Sequence, residues 1–328
     1  MMNYEMFKEI VVEKFKDYLS PKYKDLELTV SEVNKVNKNL DALSLYDSSG
    51  KQNISPMIYI NDMYESYCRN EDLQTVLEGY AAQMNKGLRD SSKIANINIE
   101  DAKDNIVFQL VNTLQNEELL KEVPHREFED LSIIYRWVIS LDEGGIRSSV
   151  ITNDFTKKLG MDESELYRCA AENTKRILPP TVKSMNEVIR EMFEKDGMGE
   201  MAEIVLDGVP DTMWVISNSQ GVNGASSMLY DDTLHKLASD IEDDLYLLPS
   251  SVHEFIAVPA ALGEPNELAE MVNEINMDQV SLEERLSNQV YHYDKDTRKL
   301  TLATDTPNKR LDGIVAGSNP IYEAGRLR

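Results

Sequence analysis

Two identical tetrapeptides, Trp137-Val138-Ile139-Ser140 and Trp214-Val215-Ile216-Ser217, hold both tryptophans of this chain. β-Branched and aromatic residues suit a pleated, half-buried surface, so each tetrapeptide reads as part of a strand. Glycine-bearing turns follow, "LDEGG" (141–145) and "SQGVNG" (219–224), and then a Ser-Ser pair opens a return strand. Glycine supplies the positive φ that tight turns need. The stretches "SSVITNDFTKKL" (148–159) and "SSMLYDDTLHKL" (226–237) also share Asp154/Asp232, Lys158/Lys236 and Leu159/Leu237. The earlier segment 42–67 shows the same order, with "DSSGKQN" (47–53) as its turn and Asn61-Asp62 opening its helix. A lone hairpin is marginal in water and must bury its apolar face under a helix or another hairpin. The expected fold class is therefore α+β: repeated strand–turn–strand–helix units, with antiparallel sheets covered by helices. Asp154 and Asp232 fit the N-cap of each unit's helix, where a carboxylate accepts backbone N–H groups.

Apolar spacings of three and four predict helices over 4–19, 71–86 and from Pro265. Alternation predicts strands at 26–33 and 40–46, a third from 54 to 60, and one at 104–112. Capping boxes begin at Asp162 with Glu165 and at Ser184 with Glu187. Residues 194–212 carry three glycines and Pro210 and read as a linker. A closing hairpin is expected around "DKDTR" (294–298). The organisation expected is an N-terminal α+β region (1–122), two related units with connecting helices (123–303) and a flexible tail (304–328).

The chain has 328 residues, enough for one large or two ordinary domains. With 58 acidic and 34 basic residues its formal net charge is −24, a surface that repels phosphate backbones. Nucleic acid is not an expected partner. Apolar runs are too short to span a bilayer and the N-terminus lacks signal-peptide features, so no membrane partner is expected and the location is read as cytoplasmic. Cys68 and Cys169 stand far apart without metal-type spacing.

Phosphate-loop, dinucleotide, nucleophile-elbow, zincin and calcium-loop patterns are absent. Two clusters hold chemistry-bearing side chains. In "VPHREFEDL" (123–131), His125, Glu127 and Asp130 have the residue types for proton transfer or metal ligation, and Arg126 those for ligand binding. The bland reading is a polar loop after Pro124. In "LPSSVHEF" (248–255), Ser250 or Ser251, His253 and Glu254 have the types of nucleophile, base and orienting acid. Neighbours along a strand face opposite ways, which favours a simple turn there. No metal and no cofactor are expected.

Through "VPHREFEDL", "LPPTVKSMNEV", "NGASSMLY" and "DLYLLPSSVHEFIAVP", with a "MNYEMFKE" opening, the chain resembles the domain-of-unknown-function family 5688 of anaerobic Gram-positive gut bacteria. The likeness runs from about residue 3 to 300. Its second half is more distantly similar to another uncharacterised bacillary family. The resemblance implies an intracellular α+β protein and supplies no activity or catalytic residue; the tail after Thr304 lies beyond it. The leading expectation is a non-enzymatic binding or interaction protein with a protein or small-molecule partner. The alternatives are a hydrolase, metal-assisted or not, using His125, Glu127, Asp130 and His253, and an acidic decoy for basic nucleic-acid-binding proteins.

Overall fold

The computed structural model describes residues 2–46, 56–70, 72–94, 99–142, 145–307 and 309–312. Helices and exclusively antiparallel strand pairs make it α+β among these residues. The chain divides at Ile99/Glu100 into two units. The expected boundary near residue 122 moves forward because the strand at 106–112 pairs with the one that begins at Leu131.

In the first unit, α1 (Tyr4–Lys14) precedes β1 (Glu27–Lys35), β2 (Lys38–Tyr46) and β3 (Met57–Tyr59), which form a sheet in that order. Helices α2 (Ile60–Asn70) and α3 (Leu73–Ile94) follow. Phe7, Val11 and Phe15 pack with Leu43, Leu45, Met63 and Leu77 in a core confined to this unit. The strand–strand–helix order of the segment 42–67 is present as β2, β3 and α2; its turn, 47–53, lies outside the described residues.

The second unit opens with β4 (Ile106–Asn112), α4 (Glu117–Glu122), β5 (His125–Phe128), β6 (Leu131–Asp142) and β7 (Gly145–Val150). β6 outruns its partners. β4 lies along one edge, while β5 and β7 share the other, β5 at Leu131–Ile134 and β7 from Arg136 onward. Next come α5 (Asn153–Leu159), α6 (Glu163–Ile177), β8 (Pro180–Ser184), α7 (Met185–Lys195) and α8 (Gly199–Leu206). The chain continues through β9 (Trp214–Asn218), α9 (Asp231–Ile241), β10 (Leu245–Leu248), β11 (Phe255–Pro259), α10 (Pro265–Asp278), β12 (Tyr291–Asp294) and β13 (Lys299–Leu302). The second sheet of this unit has the order β13-β12-β10-β11-β9-β8. Residues from both sheets, including Phe108, Tyr135, Ile216, Phe255 and Tyr291, share one core.

The two Trp-led segments do not fold alike, which corrects the expected repeat. β6 and β7 form a hairpin followed by α5, as expected. β9 has no return strand: Gly224–Leu229 is a 3-10 helix. Both edges of β9 are already taken, by β8 and β11, so no place remains for one. The Ser-Ser pair of that segment turns inward instead. Ser226 Oγ donates to the Asn223 carbonyl at 2.9 Å and Ser227 Oγ to the Ser217 carbonyl at 3.0 Å. Nor are the shared aspartates N-caps. Thr152 caps α5, its hydroxyl accepting from Phe155 N–H at 3.2 Å, while Asp154 pairs with Lys157. α9 has no side-chain cap, and Asp231 and Asp232 of its first turn engage Arg298.

Both capping boxes form as the sequence predicts, at Asp162/Glu165 and Ser184/Glu187. The expected linker 194–212 contains α8. Gly197 (φ 73°) and Gly208 (φ 70°) end α7 and α8 in the left-handed conformation, so the glycines punctuate helices rather than make a flexible tether. The expected flexible tail is anchored at its start. Thr304 Oγ1 donates to Gln289 Oε1 at 3.0 Å, Leu311 is fully buried, and Arg285 Nη1 donates to its carbonyl at 2.6 Å. Residues 313–328 lie outside the described set.

This C-terminal stretch also clasps the β4–β6 region. Asn112 Nδ2 donates to the Leu286 carbonyl at 3.2 Å, Ser287 Oγ to Asp130 at 2.6 Å, and Leu311 N–H to Gln115 Oε1 at 3.3 Å.

Candidate functional site

The sequence-flagged side chains go to separate places. His125 stands on β5 with Nδ1 against the Val123 carbonyl at 3.1 Å. Glu127 is exposed on the same strand. Asp130, in the turn before β6, accepts from Ser287 and from the Tyr291 hydroxyl. Burial pushes its carboxyl above the usual range, outweighing those two hydrogen bonds. His253 accepts the Asn223 N–H on Nδ1 at 3.2 Å, which leaves the proton on Nε2, 3.8 Å from Glu284. No hydrogen bond or ion pair joins any two of His125, Glu127, Asp130 and His253. Ser251 Oγ accepts the His253 N–H at 3.0 Å, the geometry of a local turn. Ser250 is bridged through its backbone to Leu286, and Glu254 is exposed. Among the described residues, no group of three or more His, Cys, Asp or Glu side chains is placed to hold a metal ion.

Arg126 lies in a cleft of about 260 Å³ between β5, α6, the 3-10 helix, α9 and the β12–β13 hairpin. Its Nε and Nη2 donate to the two oxygens of Glu163 at 3.0 and 2.8 Å, and its guanidinium lies 3.9 Å from the centre of the Tyr167 ring. The Tyr135 hydroxyl donates to the same carboxylate. Burial raises the Glu163 carboxyl, but the hydrogen bonds from Arg126 and Tyr135 outweigh it and hold the group below its usual range. Across the cleft Arg298 pairs with Asp231, to which the Tyr293 hydroxyl also donates. Arg126, backed by Glu163, and the Arg298–Asp231–Tyr293 set thus line the cleft with the apolar Phe128, Ile133 and Leu234. Their charges are internally matched, so the cleft is chiefly a structural joint.

The larger groove, of about 750 Å³, lies between α9 and the β9–β8 end of the six-stranded sheet. The register Ser184↔Trp214 and Val182↔Ile216 puts Pro180, Val182, Ser184 and Trp214 on one face. Trp214 is half-buried and walls the groove. Around it stand four carboxylates, Glu187, Asp211, Asp232 and Asp240, against one ammonium, Lys236. Glu187 is committed to the Ser184 capping box and Asp232 to Arg298. Among the described residues, Asp211 and Asp240 form no ion pair or side-chain hydrogen bond. A π face beside unmatched carboxylates can hold a cation, the ring attracting it electrostatically within about 6 Å of its centroid. The sequence marked Trp214 but not the groove, because Asp240 and the β8 residues meet it only through the fold.

Among the described residues, no helix is long and apolar enough to cross a membrane. A family described as a family of unknown function, DUF5688, matches residues 4–295. No curated protein and no solved structure matches the chain.

Proposed function

The chain belongs to the family of unknown function DUF5688, and from that premise we propose that it is a cytoplasmic, non-enzymatic binding protein whose ligand brings a cationic group into the Trp214 groove. The observation that carries this reading is the groove's lining, a tryptophan wall with four carboxylates and a single lysine. The chain's net charge of −24 draws cations toward it from a distance. The side chains that would serve a hydrolase support the same reading. Asp130, His125 and His253 are each engaged with structural partners, and Ser251 is turned toward its own backbone.

Fluorescence tests it directly, since Trp137→Phe leaves Trp214 as the sole indole reporter. Titration with an amidated, acetylated lysine and with tetramethylammonium should change the emission saturably. Asp211→Asn with Asp240→Asn should weaken that response by about tenfold, as expected for losing two charge contacts worth about 1 kcal/mol or less each at a partly exposed site. A flat titration, or an equal response to acetate, rejects the proposal.

A further inference from the structure

Helix α8 is apolar on most of its circumference, its polar residues being Glu200 and Glu203. Ala202 and Leu206 are buried beneath it, yet Met201, Ile204 and Val205 are exposed, Ile204 by 78%. Met198, Met201 and Val205 follow one another at three- and four-residue spacing and so form one stripe. On α7, Met192 is 61% exposed. Apolar side chains exposed singly need no explanation, but a helix stripe of them is a surface that lacks its cover. The hairpin itself is fixed: Arg190 pairs with Glu203 across it at 3.3 Å, and Asn186 Nδ2 donates to the Val209 carbonyl at 3.0 Å.

Charge identifies the cover. Residues 186–211 carry eight carboxylates and two basic side chains. Among the described residues, Glu194, Glu200 and Asp207 form no ion pair. We propose that the α7–α8 hairpin is a docking surface for a basic amphipathic helix of a partner protein. The helix's apolar side would lie on Met198, Met201, Ile204 and Val205, and its lysines or arginines would meet those three carboxylates. Unbranched methionine thioethers repack around varied apolar side chains, which suits this mode of helix recognition. A second copy of this chain fits less well, because it would bring like charge to the same face. The surface is separate from the indole of the Trp214 groove, and the inference goes beyond the proposed function.

The test uses the full chain and a fluorescein-labelled amphipathic Leu/Lys peptide of about 18 residues, roughly five helical turns. A peptide of the same pattern with Glu in place of Lys is the control. The Leu/Lys peptide should bind saturably and the Leu/Glu peptide should not. Ile204→Asp should weaken binding at least about tenfold although it adds a negative charge, the behaviour of a contact residue rather than of a bulk field. Val205→Ser, with a melting curve for each variant, gives the same reading if Ile204→Asp disturbs folding. Undiminished binding by both folded variants, equal binding of the Leu/Glu peptide, or sedimentation as a dimer that Ile204→Asp dissociates and the peptide does not would each overturn the proposal.

Discussion

Two carboxylates in the second unit respond to pH in opposite senses. Asp130 is held above its ordinary range by burial, so its stabilising contribution belongs to the protonated form. That contribution is full below the unfolded value and fades as pH rises through the folded one. Glu163 is held below its ordinary range by Arg126 and Tyr135 in spite of burial. Its contribution is present above the unfolded value and is lost as pH falls through the folded one. Urea unfolding at pH 7 and pH 4 should therefore separate two isosteric variants. Asp130→Asn should fare better against the parent at pH 7 than at pH 4. Glu163→Gln should cost about 1–3 kcal/mol at pH 7, the range for charge-assisted hydrogen bonds, and less in acid. Parallel behaviour of the two variants would contradict these assignments. The sequence brought Asp130 to notice as a chemical group. Its partners, Ser287 and Tyr291, lie more than a hundred residues away, and no local pattern announces them.

At the scale of elements, what the sequence revealed was whatever is written locally. The capping boxes at Asp162 and Ser184 need only neighbours within a turn. β8 has little local signature because it begins at Pro180, directly after Pro179, although proline is tolerated at the first residue of an edge strand. The 3-10 helix reads as a strand only through its parallel with "SSVIT", since "ASSMLY" has a single residue of high strand preference, and the occupied edges of β9 leave no place for one. The groove was invisible for a related reason, since its walls come from β8, β9 and α9. Gly224 is the pivot of the segment. A Cβ there would fall 2.2 Å from Ser217 Oγ and 2.3 Å from the His253 carbonyl oxygen. Gly224→Ala should cost at least about 1–3 kcal/mol by overpacking against backbone. Gly79→Ala, on the exposed side of α3 with nothing within 4 Å, should instead gain about 0.5–1 kcal/mol through helix propensity. Thermal melts of the pair should move in opposite directions.

For the whole molecule, each unit has its own core: the apolar cluster of the first runs from Phe7 to Leu88, and the largest cluster of the second from Ala102 to Tyr293. The end of the second unit is integral to it. A chain stopped after Ala303 should melt lower than one stopped after Asp312, because it loses the buried Leu311 and the partners of Gln289 and Arg285. A buried leucine alone accounts for about 2–5 kcal/mol. Equal melting would show that the clasp contributes nothing. That clasp also imposes an order in time. Translation delivers a chain from its N-terminal end, and β4 to β6 leave the ribosome well before Ser287, Tyr291 and Leu311 exist. Until the last of these emerges, the nascent sheet keeps Asp130 hydrated and the Asn112 amide N–H without its carbonyl partner, so the second unit can reach its native packing only once Leu311 has been made.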